Sequence, residues 1–242
     1  MTKKVVKIIK LIIINSITAI RLIGAFLLPF IYHKYGPNFT SIFIICLFLS
    51  DTIDGFLARK LKCSTFFGSI MDASSDKLLN FISFIILGLE YNIMFAPLIV
   101  EICILYTIYS TYRYGGNIQS SITGKIKTII LDICVILCFI LMSLPIFKIK
   151  SEFINYLIEN TNNYIILLGI ITLISCLVAL TDYMMKNKDA RTNPKCMNIK
   201  YEEKNRKSIK LIIKQLFDTN YYIKHKDEPI MKQFYIQHKS NL

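Results

Sequence analysis

Residues 51–76 read DTIDGFLARKLKCSTFFGSIMDASSD. Apolar sequence flanks them on both sides, SIFIICLFLS at 41–50 and KLLNFISFIILGL at 77–89. Charges are costly in hydrocarbon, so acids at the edge of such runs need a local purpose. Asp51 and Asp54 are three residues apart, and Asp72 and Asp76 are four apart. Each pair therefore lies on one face of its own helix. The basic turn Arg59-Lys60-Leu61-Lys62 lies between the two pairs. The stretch reads as two antiparallel membrane helices whose four carboxylates meet in one pocket. At ~1.5 Å of rise per residue, Asp51 and Asp72 sit at similar depths, about 10 Å below the boundary.

Outward from this hairpin, the chain of 242 residues is 54% hydrophobic and only 19% charged. That balance excludes a disordered or collagenous chain and points to an all-α polytopic membrane protein. The apolar runs place six spans at residues 15–34, 38–61, 66–90, 93–112, 126–147 and 163–185, each near the ~20 residues that cross a bilayer. Lys3, Lys7 and Lys10 recur at helical spacing before the first span, as in a helix lying on the membrane surface. Basic residues gather in the amino terminus, the 59–62 turn, the 113–127 connection and the tail. The inside-positive bias then puts both termini, and the acidic pocket, on the cytoplasmic side.

The expected organisation is a membrane domain over residues 1–185 and a basic cytoplasmic tail over 186–242. The net charge is +13, and the tail holds 14 basic and 6 acidic side chains. Anionic membrane lipids are the expected partner of such a tail. Nucleic acid is not expected, because zinc-ligand spacing, an RNA-binding sheet motif and basic-region heptads are all missing. Within Asn205–Phe217 (NRKSIKLIIKQLF), Ile209, Ile212, Ile213 and Leu216 share a helix face. The seven cysteines form no CxxC pair, and Cys134 and Cys138 read as packing residues.

Four carboxylates in a low-dielectric pocket repel unless cations or protons sit among them. Oxygen-only ligands suit hard divalent ions, Mg2+ or Mn2+. Two such ions can clamp the oxygens of an in-line phosphoryl displacement. Gly55 would let a bulky ligand approach the backbone, and Arg59 can grip a phosphate bidentately. A cation transporter using the same acidic pocket is the reading from another class. Glu101 and Asp132, also inside spans, either line a polar cavity or bond a neighbouring helix.

The full pattern is more specific than an acidic pocket. Asp51, Asp54-Gly55, Ala58-Arg59, Gly68, Asp72 and Asp76 stand at spacings that resemble the CDP-alcohol phosphatidyltransferase signature. The resemblance implies that Asp51, Asp54, Asp72 and Asp76 bind two metal ions and that Asp76 is the general base. It implies that Gly55, Arg59 and Thr65 contact a CDP-linked donor. Asn15, Thr18 and Arg21 match the family's NxxTxxR pattern, whose Asn and Thr also hold the donor. Gly124-Lys125-Ile126-Lys127-Thr128 resembles the GKxKT segment of phosphatidylglycerophosphate synthases. Lys125 and Lys127, with Arg113, would then receive an acceptor phosphate. The implied activity is transfer of a phosphatidyl group from CDP-diacylglycerol to an alcohol, glycerol 3-phosphate above all, with release of CMP. The resemblance also implies a homodimer.

Overall fold

The computed structural model describes residues 3–61, 64–113, 121–147, 151–186 and 207–225, and every regular element among them is helical. The longest, α1 (Lys3–Leu61), is broken at Gly36, where φ is 73° and ψ −175°. Glycine adopts that backbone freely, whereas an added Cβ would be strained there. Pro37 follows, and its preset φ suits the first turn of the resuming helix. The two arms fold against each other. A Cβ on Gly24 would lie 2.6 Å from Leu47 Cδ2, and Ala25, Leu28, Ile44 and Leu47 are buried together.

Helix α2 (Phe66–Glu90) starts at Thr65, whose side chain accepts from the Gly68 amide. Its far end is tied to α1, where the Tyr32 hydroxyl donates to Glu90 Oε1 at 2.9 Å. A 3-10 turn (Asn92–Met94) leads into α3 (Phe95–Arg113). Helix α4 (Ile122–Ser143) is capped by Ser121 and runs into a 3-10 turn, Leu144–Phe147. Then come α5 (Glu152–Glu159) and α6 (Thr161–Lys186). The tail contributes α7 (Ile209–Leu216) and α8 (Thr219–His225).

Helix α1 packs on α2 and α4, and α6 packs on α3 and α4. The core at their centre includes Leu79, Phe84 and Leu87 from α2 and Leu131, Val135 and Phe139 from α4. Ser41 Oγ crosses from α1 to donate to the Phe139 carbonyl at 2.7 Å. Cys134 and Cys138 are buried, in keeping with a packing role.

Four segments are long and apolar enough to cross a membrane: Lys10–Ile53, Asn92–Thr111, Ile122–Ile146 and Thr161–Lys186. Helix α2 has the length, but Asp72, Asp76 and Lys77 interrupt its apolar sequence. Large apolar side chains such as Ile20, Phe30, Ile99, Tyr106, Ile129 and Ile174 point outward. Lipid suits that outer surface, because helices satisfy their own backbone hydrogen bonds.

Two short helices, α5 and α8, add to the sequence reading. The connection read as a loop before the last span contains α5. Phe153, Ile154, Leu157 and Ile158 form one apolar face on a helix too short to give a long periodic signal. The amphipathic stretch in the tail is helical over Ile209–Leu216; residues 205–206 lie outside the described segments. The following helix α8 had no clear apolar period to announce it. At the amino terminus residues 3–14 form the unbroken start of α1. Lys3 and Lys7, on which the expected surface helix rested, have side chains outside the described ones.

The tail returns to the start of α2. The Phe66 ring lies 4.9 Å from that of Tyr222 and 6.0 Å from that of Tyr221, and Phe67 lies 4.6 Å from Phe217. Aromatic pairs at such spacings add attraction beyond the area they bury. Ile209, Ile213 and Phe217, four apart, remain exposed on the same short stretch as Lys210 and Lys214.

Candidate active site

Three helical segments build the acidic site. The first arm of α1 carries Asn15, Thr18 and Arg21; the second carries Asp51, Asp54 and Gly55. The first half of α2 carries Gly68, Asp72, Ser75 and Asp76. Asp51, Asp72 and Asp76 each offer a carboxylate oxygen, and these oxygens lie within 4.8 Å of one another. The predicted convergence of two acidic helices therefore holds for these three residues. Asp54 belongs to the helical backbone, but its side chain lies outside the described ones, as does that of Arg59.

Arg21 sits behind this triad with a fully buried side chain. Its Nη1 donates to Asp51 Oδ1 and its Nη2 to Asp72 Oδ1, while Nη2 stands 3.2 Å from Asp76 Oδ1. The Arg21 Nε donates to Ser75 Oγ at 3.0 Å, and Ser75 Oγ donates to the Asp72 carbonyl at 2.9 Å. One guanidinium thus fixes three acids from two other segments. The carboxylates remain 38%, 43% and 43% exposed, so their other side is open.

In the sequence Arg21 stands only as part of the NxxTxxR pattern, and nothing there places it in the acidic pocket. Its partners lie 30 and 51 residues away, beyond any local spacing rule. Ser75 was missed as well. Its usable signal was a small polar residue beside Asp76 within an apolar helix.

The triad fits a divalent cation. Ionised, three carboxylates outweigh one guanidinium by two negative charges. All donors are oxygens, the choice of hard ions. Ligands on opposite sides of Mg2+ at 2.0–2.1 Å stand about 4 Å apart, so oxygens within 4.8 Å need to close only slightly.

Of the expected donor-side residues, Asn15 and Thr65 meet at Gly68. An added Cβ on Gly68 would lie 3.2 Å from both Asn15 Oδ1 and Thr65 Oγ1. This glycine lets α1 approach the start of α2. Thr65 and Thr18 are buried and Gly55 is half-buried. Thr65 Oγ1 caps α2 by accepting from Gly68 N at 3.1 Å, so its visible role is to shape the corner.

The expected acceptor residues divide. Lys127 is buried and its Nζ lies 2.5 Å from Glu101 Oε1. Glu101 also accepts from the Cys176 thiol at 3.4 Å. Lys127 lines a cavity of about 50 Å³ together with Asp76, Lys77, Asn80 and Glu101. Lys125 is exposed and does not line that cavity. Arg113 ends α3, and its side chain lies outside the described ones. The two undecided acids now have partners: Glu101 holds Lys127, and Asp132 Oδ1 accepts from Asn80 Nδ2 at 2.6 Å.

Residues 11–181 match the model of a protein family described as CDP-alcohol phosphatidyltransferase. The chain belongs to this family. Membership selects the enzyme over the cation transporter, and the acidic triad is its metal-site candidate. An Aquifex aeolicus relative named CDP-diacylglycerol–glycerol-3-phosphate 3-phosphatidyltransferase is 31% identical over 166 residues, covering 64% of this chain and 85% of the relative. A Yersinia enterocolitica protein of the same name is 32% identical over 112 residues, covering 43% of this chain and 60% of its own length. A Yersinia pestis protein of that name is 29% identical over the same shares. No solved structure matches.

Proposed function

We propose that this CDP-alcohol phosphatidyltransferase moves a phosphatidyl group from CDP-diacylglycerol to glycerol 3-phosphate and releases CMP. The observation that carries the proposal is the place of Asp76. It belongs to the acidic triad and also lines the cavity that holds Lys127. One carboxylate thus adjoins both a cation-binding cluster and a polar cavity lined by Lys77, Lys127 and Glu101.

Asp51, Asp54, Asp72 and Asp76 would hold two Mg2+ or Mn2+ ions, which polarise the donor phosphates and offset charge on the leaving CMP. Asn15, Thr18, Gly55, Arg59 and Thr65 would bind the nucleotide end of the donor. Lys127, with Lys125 and Arg113 at the mouth, would receive the acceptor phosphate. Asp76 takes the proton from the acceptor hydroxyl as its oxygen attacks the phosphatidyl phosphorus. The phosphorus–oxygen bond to CMP breaks, and CMP departs with that electron pair. Arg21 keeps the triad aligned throughout.

The two arms of α1, together with α2, α3, α4 and α6, would supply six spans. Both termini and the acidic site would then face the cytoplasm, as the basic connections favour. The start of α1 would lie along the membrane surface. The family match ends at residue 181, which supports a boundary near 185 and a distinct basic tail. Lys210 and Lys214 beside the exposed stripe of α7 suit anionic lipid headgroups. A homodimer completes the proposed assembly.

The test is an acceptor screen with purified full chain, CDP-diacylglycerol and Mg2+. CMP release is expected with glycerol 3-phosphate and not with glycerol, inositol or serine. Release with one of those alcohols, and none with glycerol 3-phosphate, would overturn the acceptor assignment.

A further inference from the structure

We infer that Asn80 is a specificity-determining residue, whose amide oxygen accepts a hydrogen bond from the acceptor hydroxyl neighbouring the one that attacks. This inference rests on the glycerol 3-phosphate reading and adds a residue to it. Asn80 follows Asp76 by four positions on α2, so both side chains leave the same helix face. It lines the cavity shared by Asp76, Lys77 and Lys127.

The orientation of the amide follows from its partner. Nδ2 donates to Asp132 Oδ1 at 2.6 Å, and a carboxylate accepts rather than donates. The amide oxygen is thereby turned away from Asp132. Asn80 is 8% exposed, and its Oδ1 is buried with no hydrogen-bond partner among the described residues. Buried amide oxygens in proteins are nearly always bonded, so one beside a reaction site points to a ligand that donates.

The surroundings describe that ligand. Lys77 supplies positive charge for an anionic group, beside a Lys127 already paired with Glu101, and Asp76 supplies a proton acceptor for the attacking hydroxyl. The remaining acceptor, Asn80 Oδ1, calls for a second hydroxyl close to the first. A cavity of about 50 Å³ is several times the ~10–15 Å³ that one water requires and admits a hydroxyl-bearing carbon arm. The ligand class is a phosphorylated vicinal diol.

The test compares glycerol 3-phosphate with 3-hydroxypropyl phosphate, which lacks the middle hydroxyl, in the full-length enzyme with CDP-diacylglycerol and Mg2+. Wild-type protein is expected to prefer the diol by at least about 10²-fold in kcat/KM, since sites built around a substrate hydroxyl reject analogues lacking it. Asn80→Leu is expected to reduce the preference to about threefold or less, leaving the KM for CDP-diacylglycerol unchanged. Asn80→Ser, which keeps a smaller acceptor, should fall between. A purely structural role would scale both acceptors alike, so the ratio separates the two roles even where a variant is less stable. A ratio equal to wild type in both variants, or no preference in the wild type, overturns the inference alone. Absence of CMP release from glycerol 3-phosphate in the wild type, with release from another alcohol, overturns the acceptor reading and this inference with it.

Discussion

Asp76→Asn is expected to reduce CMP release by about 10²–10⁴-fold or more at saturating donor and acceptor, the range that positioned proton acceptors contribute. Asn keeps the shape of the side chain and can still meet solvent and neighbouring polar groups. It cannot take the hydroxyl proton, and it is a weaker cation ligand. The thermal midpoint in detergent should stay near that of wild type, because the side chain is 43% exposed and Arg21 retains Asp51 and Asp72. Loss of activity in a protein that still melts normally is the expected signature. Near-wild-type CMP release from Asp76→Asn would remove Asp76 from the role of base.

Arg21→Met is expected to damage both fold and activity. Met has a similar length and is apolar, so the buried stem keeps much of its packing. Three carboxylates would nevertheless lose their common counter-charge. Breaking a buried ion pair by removing one partner costs about 3–5 kcal/mol. The acids here are 38%, 43% and 43% exposed, and solvent screening places the effect toward or below the lower end of that range. The variant's thermal midpoint should fall, and millimolar Mg2+ should raise it more than it raises wild type. A ligand that binds the folded state stabilises it by linkage, and the cation supplies charge that the variant lacks. Arg21→Lys is not an equivalent exchange, because one ammonium cannot match a guanidinium that reaches Asp51, Asp72, Asp76 and Ser75. A melting curve for Arg21→Met that matched wild type with and without Mg2+ would contradict the role assigned to Arg21.

The acidic triad was legible in the sequence because two independent constraints coincide there. Helical spacing puts each acid pair on one face, and hydrocarbon makes unshared charges costly. The long helices were legible for the same reason, through runs of apolar residues of membrane length. Gly36-Pro37 marks the break in α1 through ordinary backbone chemistry. What stayed hidden depends on how helices face one another. Arg21 and Lys127 were both visible as cations in or beside spans. Only the packing shows that Arg21 joins the acidic triad while Lys127 turns inward to Glu101, 26 residues away. Asn80 gave no local signal either. Its meaning arises from Asp132 on α4, 52 residues along the chain, which fixes the direction of its amide. The short helices α5 and α8 were hidden for a simpler reason: about two turns do not establish a period.

Acids from two segments of this chain are expected to grip the same divalent cation. Titration of the full-length protein in detergent with Mn2+, followed by electron paramagnetic resonance, tests this without requiring turnover. Wild-type protein should bind Mn2+, and both Asp51→Asn and Asp72→Asn should weaken that binding by more than the about 10–100-fold that even outer-shell partners contribute. Unchanged Mn2+ affinity in both variants would contradict a shared cation site.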